Sequence, residues 1–320
     1  MIPIDCSHIT YPSSTMVSIT EKVKATLKSQ DTEGWFEIHF TRTPGYLWAL
    51  FFKHLHIHPI AVTLMSIIIG AACGWCFYFD DLGHTLLGIF LLLWANWFDC
   101  ADGQLARMTG KSTLIGRILD GFAGDVWFFC IYFGICMRLT PTWGWWIWLL
   151  AAWAGFWCHS RQCAVADYYR NIHLFFQLGR DRSELDRAAR LTDQYNAMRW
   201  WSAEWFNKLY LFFYIRYTRG QERQTPQFQQ LYTKIQETWE GNIPASFREA
   251  FRQKSRPLMP MTNILTFDTR VGVLFASLLV GMPWLYFVAE ATVFEVLRYR
   301  MVRKHEAFCQ QFLNDLPHYQ

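Results

Sequence analysis

A helix that crosses a bilayer needs about 20 mostly apolar residues, because no water is present there to satisfy an unpaired backbone. This chain offers such runs repeatedly. They are Pro59 to Phe79, His84 to about Cys100, Leu114 to about Met137, and Trp143 to about Trp157 running on toward Tyr169. About Ile264 to Val280 and Pro283 to about Val296 follow, parted by Gly281-Met282-Pro283, where one kinked helix is the alternative to two. The pattern predicts an all-α integral-membrane bundle of six helices. Composition agrees: 18% of residues are aromatic and only 18% are Asp, Glu, Lys or Arg, against roughly 25% charged in an ordinary soluble domain. So high an apolar content excludes disorder and collagen-like repeats. The mean hydropathy of only +0.05 reflects dilution by a long polar stretch, residues 166–260.

Charge in the connections sets the orientation. The 80–83 and 281–283 turns hold no Lys or Arg, and the 138–142 turn holds Arg138 alone. The opposite side carries Arg107, Lys111, 16 Lys or Arg in residues 160–260, and Arg298, Arg300, Arg303 and Lys304. Both termini and the basic loops are therefore expected in the cytoplasm. Trp143, Trp145, Trp146 and Trp148 suit an aromatic belt at the other face. The N-terminus lacks a basic segment followed by an apolar one, so no cleaved signal peptide is expected.

The expected organisation has five parts. Residues 1–58 contain an amphipathic helix over Gly45–Leu55, lying in the membrane surface or packed on the protein. Four spans occupy 59–165, a helical insert 166–260, two spans 261–304, and a tail 305–320. Within the insert, Asp181–Asp186 is the expected helix-capping region. The aromatic run Leu209–Tyr214 is too short to span, so it rests on the membrane or caps the bundle. Net charge is +4 with no basic low-complexity arm, which argues against a nucleic-acid partner. Most of the nine Cys sit in apolar runs, and Cys73-Gly-Trp-Cys76 reads as packing rather than a redox motif.

Ionisable groups inside spans are costly and mark function. The densest group joins the second run to the third: Asp99-Cys-Ala-Asp102-Gly103-Gln-Leu-Ala106-Arg107, then Gly116-Arg-Ile-Leu-Asp120-Gly-Phe-Ala-Gly124-Asp125. On a helix, positions 99, 102 and 106 share a face within about 60°. Ala106 keeps that face thin, and Gly103 admits a close neighbour. Asp120, on the next antiparallel helix, adds a carboxylate at similar depth. Hard cations such as Mg²⁺ or Mn²⁺ suit an all-oxygen set, and paired ions can hold a diphosphate. Interhelical salt bridges or a proton path are the alternatives.

The spacing resembles the CDP-alcohol phosphotransferase (CDP-alcohol phosphatidyltransferase) signature, D-x2-D-G-x2-A-R-x8-G-x3-D-x3-D, through Asp120. Six spans and a surface helix before the first also resemble that family. Its P-N-x-x-T opening has a counterpart in Pro59-Ile-Ala-Val-Thr63, without the Asn. The resemblance implies transfer of a phosphoalcohol unit from a CDP-linked donor to an acceptor hydroxyl, with release of CMP. It implies that Asp99, Asp102 and Asp120 ligate two Mg²⁺ or Mn²⁺ ions, that Gly103, Ala106 and Arg107 cradle the cytidylate, and that Gly116 permits close helix approach. It also implies a fourth acid as metal ligand and general base, and by family analogy a homodimer.

That fourth acid should be residue 124, which is Gly; the acid is Asp125. In a regular helix an i+5 residue points about 140° away. A π-bulge would restore the register, and Gly121 and Gly124 make one cheap. The sequence therefore predicts a bulge that aims Asp125 at the metals. Lys111, Arg117 and Arg161 are candidate phosphate or acceptor contacts, or plain headgroup-facing charges. Asp268 and Arg270 cannot face each other and each needs its own partner. Glu290 is a substrate ligand or an interhelical hydrogen-bond partner. His54, His56 and His58 do not converge on a metal. The acceptor is expected to be a small polar alcohol such as inositol phosphate, with CDP-diacylglycerol as donor. CDP-ethanolamine acting on diacylglycerol or ceramide is the alternative. A carboxylate-lined transporter and a catalytically silent membrane scaffold are the readings from other classes.

Overall fold

The computed structural model describes Val23, Ser29, residues 31–179, Ser183, and residues 185–201 and 205–319. The described residues are helical throughout, without a strand. Three helices are long and apolar enough to cross a membrane: α2 (Pro59–Cys76), α3 (Leu82–Thr109) and α4, whose qualifying part is Ile115–Trp143. α4 itself starts at Leu114. Asp81 caps α3 by accepting from the His84 amide (2.9 Å), and Thr113 caps α4 by accepting from the Gly116 amide (3.0 Å).

Before them, a π-helical turn, Glu37–Arg42, leads into α1 (Thr43–His54). One face packs on α3: Gly45 lies over Cys100, and Trp48 meets Trp94 and Phe98. The other face leaves Leu47, Leu50, Phe51 and Leu55 exposed.

After α4 come α5 (Trp146–Ala152), a π-helical turn Trp153–His159, and α6 (Ser160–Leu178), one continuous rod. The cap expected at Asp181–Asp186 falls largely outside the described residues. The polar stretch then forms α7 (Ala188–Ala197), α8 (Trp205–Gln224), α9 (Pro226–Trp239), α10 (Ala245–Ser255) and α11 (Met259–Ile264). α12 (Phe267–Leu279) turns at Gly281, φ +73°, into α13 (Trp284–Ala289). A π-helical turn, Glu290–Phe294, continues α13 into α14 (Glu295–Asp315). Arg270 on one side of the Gly281 turn bonds Glu290 on the other, so these are two antiparallel helices rather than one kinked helix.

Two cores result. Cys73, Phe77, Leu92, Trp127, Ile131, Ile147, Leu274, Tyr286 and Phe287 form one, drawn from α2, α3, α4, α5, α12 and α13. Close approach depends on small residues. A Cβ on Gly70 would strike the Trp127 ring, and one on Gly134 would strike the Gly74 carbonyl. Cys73 and Cys76 are buried, free thiols in this packing. The other core joins α6, α9, α10 and α14 through Tyr169, Phe176, Phe228, Phe251, Met301 and Phe312. Tyr169 stacks on His305 with ring centroids 3.8 Å apart. The C-terminal residues set apart as a tail are thus helix to Asp315, with Phe308, Cys309 and Phe312 buried.

An ionic knot ties the N-terminal segment to this second core. Asp31 accepts from Arg252 (2.8 Å) and lies 3.4 Å from His173, whose Nδ1 meets Ser255 Oγ at 2.7 Å. Burial is the largest influence on His173 and holds its pKa below the ordinary imidazole value, outweighing Asp31. The unfolded chain therefore takes up a proton first, below about pH 6.5. Stability should be greatest above that value and fall as pH drops toward the lower folded pKa. Thermal unfolding across this range should show the fall, and His173→Gln should flatten it.

Candidate active site

The acid cluster forms as the spacing predicts. α3 ends at Gly110, in the left-handed region (φ +66°), whose amide bonds the Ala106 carbonyl. The three residues after it lead to the Thr113 cap, so α4 returns at once beside α3. Asp102 lies seven residues before the end of α3 and Asp120 six after the start of α4, which sets them at one depth. Asp99, Asp102 and Asp120 bring one carboxylate oxygen each within 4.8 Å of one another.

Their surroundings are those of a cation site. Asp102 is buried, and Thr63 donates to its Oδ2 in a short hydrogen bond. Thr63 is the last residue of the Pro59-Ile-Ala-Val-Thr63 opening, so the two motifs meet here. Asp99 Oδ1 is buried with no hydrogen-bond partner among the described residues. A buried, unmatched carboxylate oxygen carries a large desolvation cost. A divalent cation held among the three carboxylates would remove that cost for Asp99, and hard oxygen ligands match Mg²⁺ or Mn²⁺. Thr63→Val leaves Asp102 without its donor. The Mg²⁺ needed for half-maximal rate should rise several-fold while the saturated rate changes little, read from metal titrations of parent and variant.

Beside the carboxylates, Gly103 faces open space: a Cβ there would meet only the Arg107 guanidinium, at 3.5 Å. Ala106 lies one turn on and Arg107 is exposed at the mouth. Gly116 sits against Thr113 and Ile60, as a closely packed position should.

Asp125 corrects the prediction. α4 is a regular α-helix through Asp120 and Asp125, with no bulge, and Asp125 does not join the three-carboxylate group. Gly121 and Gly124 have nothing near them that would force one. The charged neighbour that acts on Asp125 is His159, at the end of the π-helical turn on the adjoining rod. The irregular turns lie elsewhere, one at Glu37–Arg42 and two packed together, at Trp153–His159 and Glu290–Phe294.

Those two turns meet at a buried ionic network. Arg270 and Glu290, both essentially inaccessible, bond at 2.5 and 2.6 Å. His159 Nδ1 lies 2.9 Å from Arg270 Nη1 and 3.2 Å from Glu290. Gln162 accepts from Arg270 (2.9 Å), and Tyr286 donates to Glu290 (2.7 Å). Glu290 is thus an interhelical partner. Sequence reasoning gave Arg270 and Glu290 no common partner. They lie 11 residues before Gly281 and seven after Pro283, so counting from the turn did not pair them.

Asp268 finds its own partner, Thr41, at 3.4 Å. It lines a cavity of about 290 Å³ with Glu37, Asn263, Thr266 and Thr269. Glu37 is paired with Arg42 (3.3 Å), whose carbonyl accepts from Gln104 inside the α3 motif (3.2 Å). A chain of polar contacts thus runs from the cavity to Gln104, two residues past Asp102 on α3. Nothing in the sequence flagged Glu37 or Arg42. Lys111 and Arg117 are exposed around the α3–α4 loop, and Arg161 lies over the Trp157 ring at 5.1 Å. His58 caps α2 through its Nδ1, and the three histidines form no metal group among the described residues.

Residues 56–177, which hold the whole acid motif, match the CDP-alcohol phosphatidyltransferase family model. They are a CDP-alcohol phosphatidyltransferase domain. The comparison with curated proteins found no match. The domain covers α2 to α6 and thus every carboxylate of the cluster, while Asp268 and the network's Arg270 and Glu290 lie outside it. The family supports a transferase of phospholipid synthesis that uses a CDP-alcohol and is divalent-metal dependent.

Proposed function

We propose that this chain is a multi-pass membrane transferase that moves a phosphoalcohol unit from a CDP-linked donor to an acceptor hydroxyl. The observation that carries the reading is the meeting of Asp99, Asp102 and Asp120 around a buried, unmatched carboxylate oxygen. α2, α3 and α4 would cross the bilayer, as would α5 running into α6 and α13 running into α14, with the 13-residue α12 packed among them as a shorter sixth segment. The acid mouth and both termini would face the cytoplasm, as the basic connections favour.

Two Mg²⁺ or Mn²⁺ ions would be held by Asp99, Asp102 and Asp120. Bound there, they would neutralise the donor diphosphate and the charge that develops on the leaving CMP. Thr63 fixes the Asp102 rotamer. Gly103 and Ala106 leave the space for the cytidylate, and Arg107 meets its phosphate. Asp125 sits outside the cluster, so the acceptor proton passes to one of the cluster's own carboxylates, with Asp120, the most exposed, best placed.

The cavity beside Asp268 is the proposed acceptor pocket. Its lining of Glu37, Asp268, Asn263 and two threonines suits a neutral polyol or an ammonium-bearing alcohol. Two carboxylates there disfavour a phosphorylated acceptor such as inositol phosphate. CDP-diacylglycerol with a small unphosphorylated alcohol is therefore favoured over transfer to a lipid hydroxyl. Purified protein with Mg²⁺, CDP-diacylglycerol and a panel of alcohols should release CMP, and chelation should stop it. CMP release from CDP-ethanolamine and diacylglycerol alone would reverse the donor assignment. No release from either donor would leave the scaffold reading.

A further inference from the structure

The α7–α8 hairpin stands apart from both cores. Leu191, Leu211 and Ile215 give it a small core of its own, and Lys208 donates to the Met198 carbonyl (2.6 Å) across it. On α8, positions 205, 209, 212, 213 and 216 fall within about 100° of one another. That stripe is Trp205, Leu209, Phe212, Phe213 and Arg216, and its aromatics are exposed, Phe213 by 61%. Trp201, shortly before α8 in the chain, is also fully exposed. The opposite side of the helix carries the buried Lys208, Leu211, Ile215 and Thr218. So much exposed aromatic surface on one helix face marks a contact.

The far end of α8 shows at what level it lies. Gln221 donates to the Ala164 carbonyl (3.0 Å), Tyr217 to Asp167 (3.2 Å), and Arg298 to Gln224 (2.8 Å). Ala164 and Asp167 lie in the last part of the fourth apolar run, where it goes on toward Tyr169, and Arg298 comes just past the sixth. The hairpin is therefore anchored where those two rods leave the apolar layer. Residues 187–224 hold seven Lys or Arg against three Asp or Glu. Arg216 lies over the Phe212 ring at 5.6 Å, a cation riding on an aromatic stem.

We propose that this hairpin lies in the interfacial layer of the bilayer leaflet on the side of the acid cluster. Its aromatic stripe sits among the upper acyl chains, and its basic residues meet anionic headgroups. A second copy of the chain fits less well, because a two-fold contact would bring the same basic rim against itself. The proposal rests on the membrane reading of the chain and not on its chemistry.

The test uses the full chain in liposomes of phosphatidylcholine and phosphatidylserine that carry a photoreactive group near the top of one acyl chain. Labelled peptides are mapped by mass spectrometry. Peptides from Trp201–Phe213 should be labelled along with those of α2 and α4. Replacing phosphatidylserine by phosphatidylcholine should lower hairpin labelling several-fold and leave α2 and α4 unchanged. Labelled α2 and α4 with an unlabelled hairpin would overturn the proposal alone. Unlabelled α2 and α4 would overturn the membrane reading as well.

Discussion

Asp102→Asn should lower CMP release by at least about a thousand-fold, because it removes one anionic ligand from a site built to hold divalent charge. The amide keeps the shape and can still accept from Thr63, so melting behaviour should stay near that of the parent. Asp125→Asn in the same assay should cost less than about tenfold. Asp125 lies on a regular helix, outside the three-carboxylate group and beside His159. A loss at Asp125 equal to that at Asp102 would mean that α4 bulges when substrate binds.

Arg270→Met should be the most destabilising single change away from the acid cluster. It strands Glu290, which is inaccessible to water, without its cation, and breaking a buried pair costs about 3–5 kcal/mol. Tyr286 and His159 still reach Glu290, so part of the network survives. Converting both partners, Arg270→Met with Glu290→Leu, removes the stranded charge and should recover most of the loss. Thermal unfolding in detergent measures both. A single variant as stable as the parent would show that the pair holds nothing together.

Much of the site was legible because it depends on local spacing. A short loop after a glycine C-cap forces two helices antiparallel, and the depths of Asp102 and Asp120 follow from residue count alone. The bulge failed for a physical reason. Glycines at 121 and 124 permit a distortion but do not drive one. The helix kept its hydrogen bonds, and nothing packed against the two glycines demanded that it break them. Two of the three π-helical turns among the described residues fall where Glu290 and His159 converge on Arg270, a tertiary demand that no window of sequence contains. The fate of the polar stretch was hidden similarly. Its apolar faces had no evident partner until α14, from the far end of the chain, packed against them.

Manganese EPR on the full chain in micelles tests the acid cluster most directly. Signal loss on titration should show saturable binding to the parent, and Asp120→Ala, on the helix opposite Asp99 and Asp102, should abolish it. Unchanged binding in that variant would mean that the two helices do not share a cation, and the transferase assignment would lose its footing.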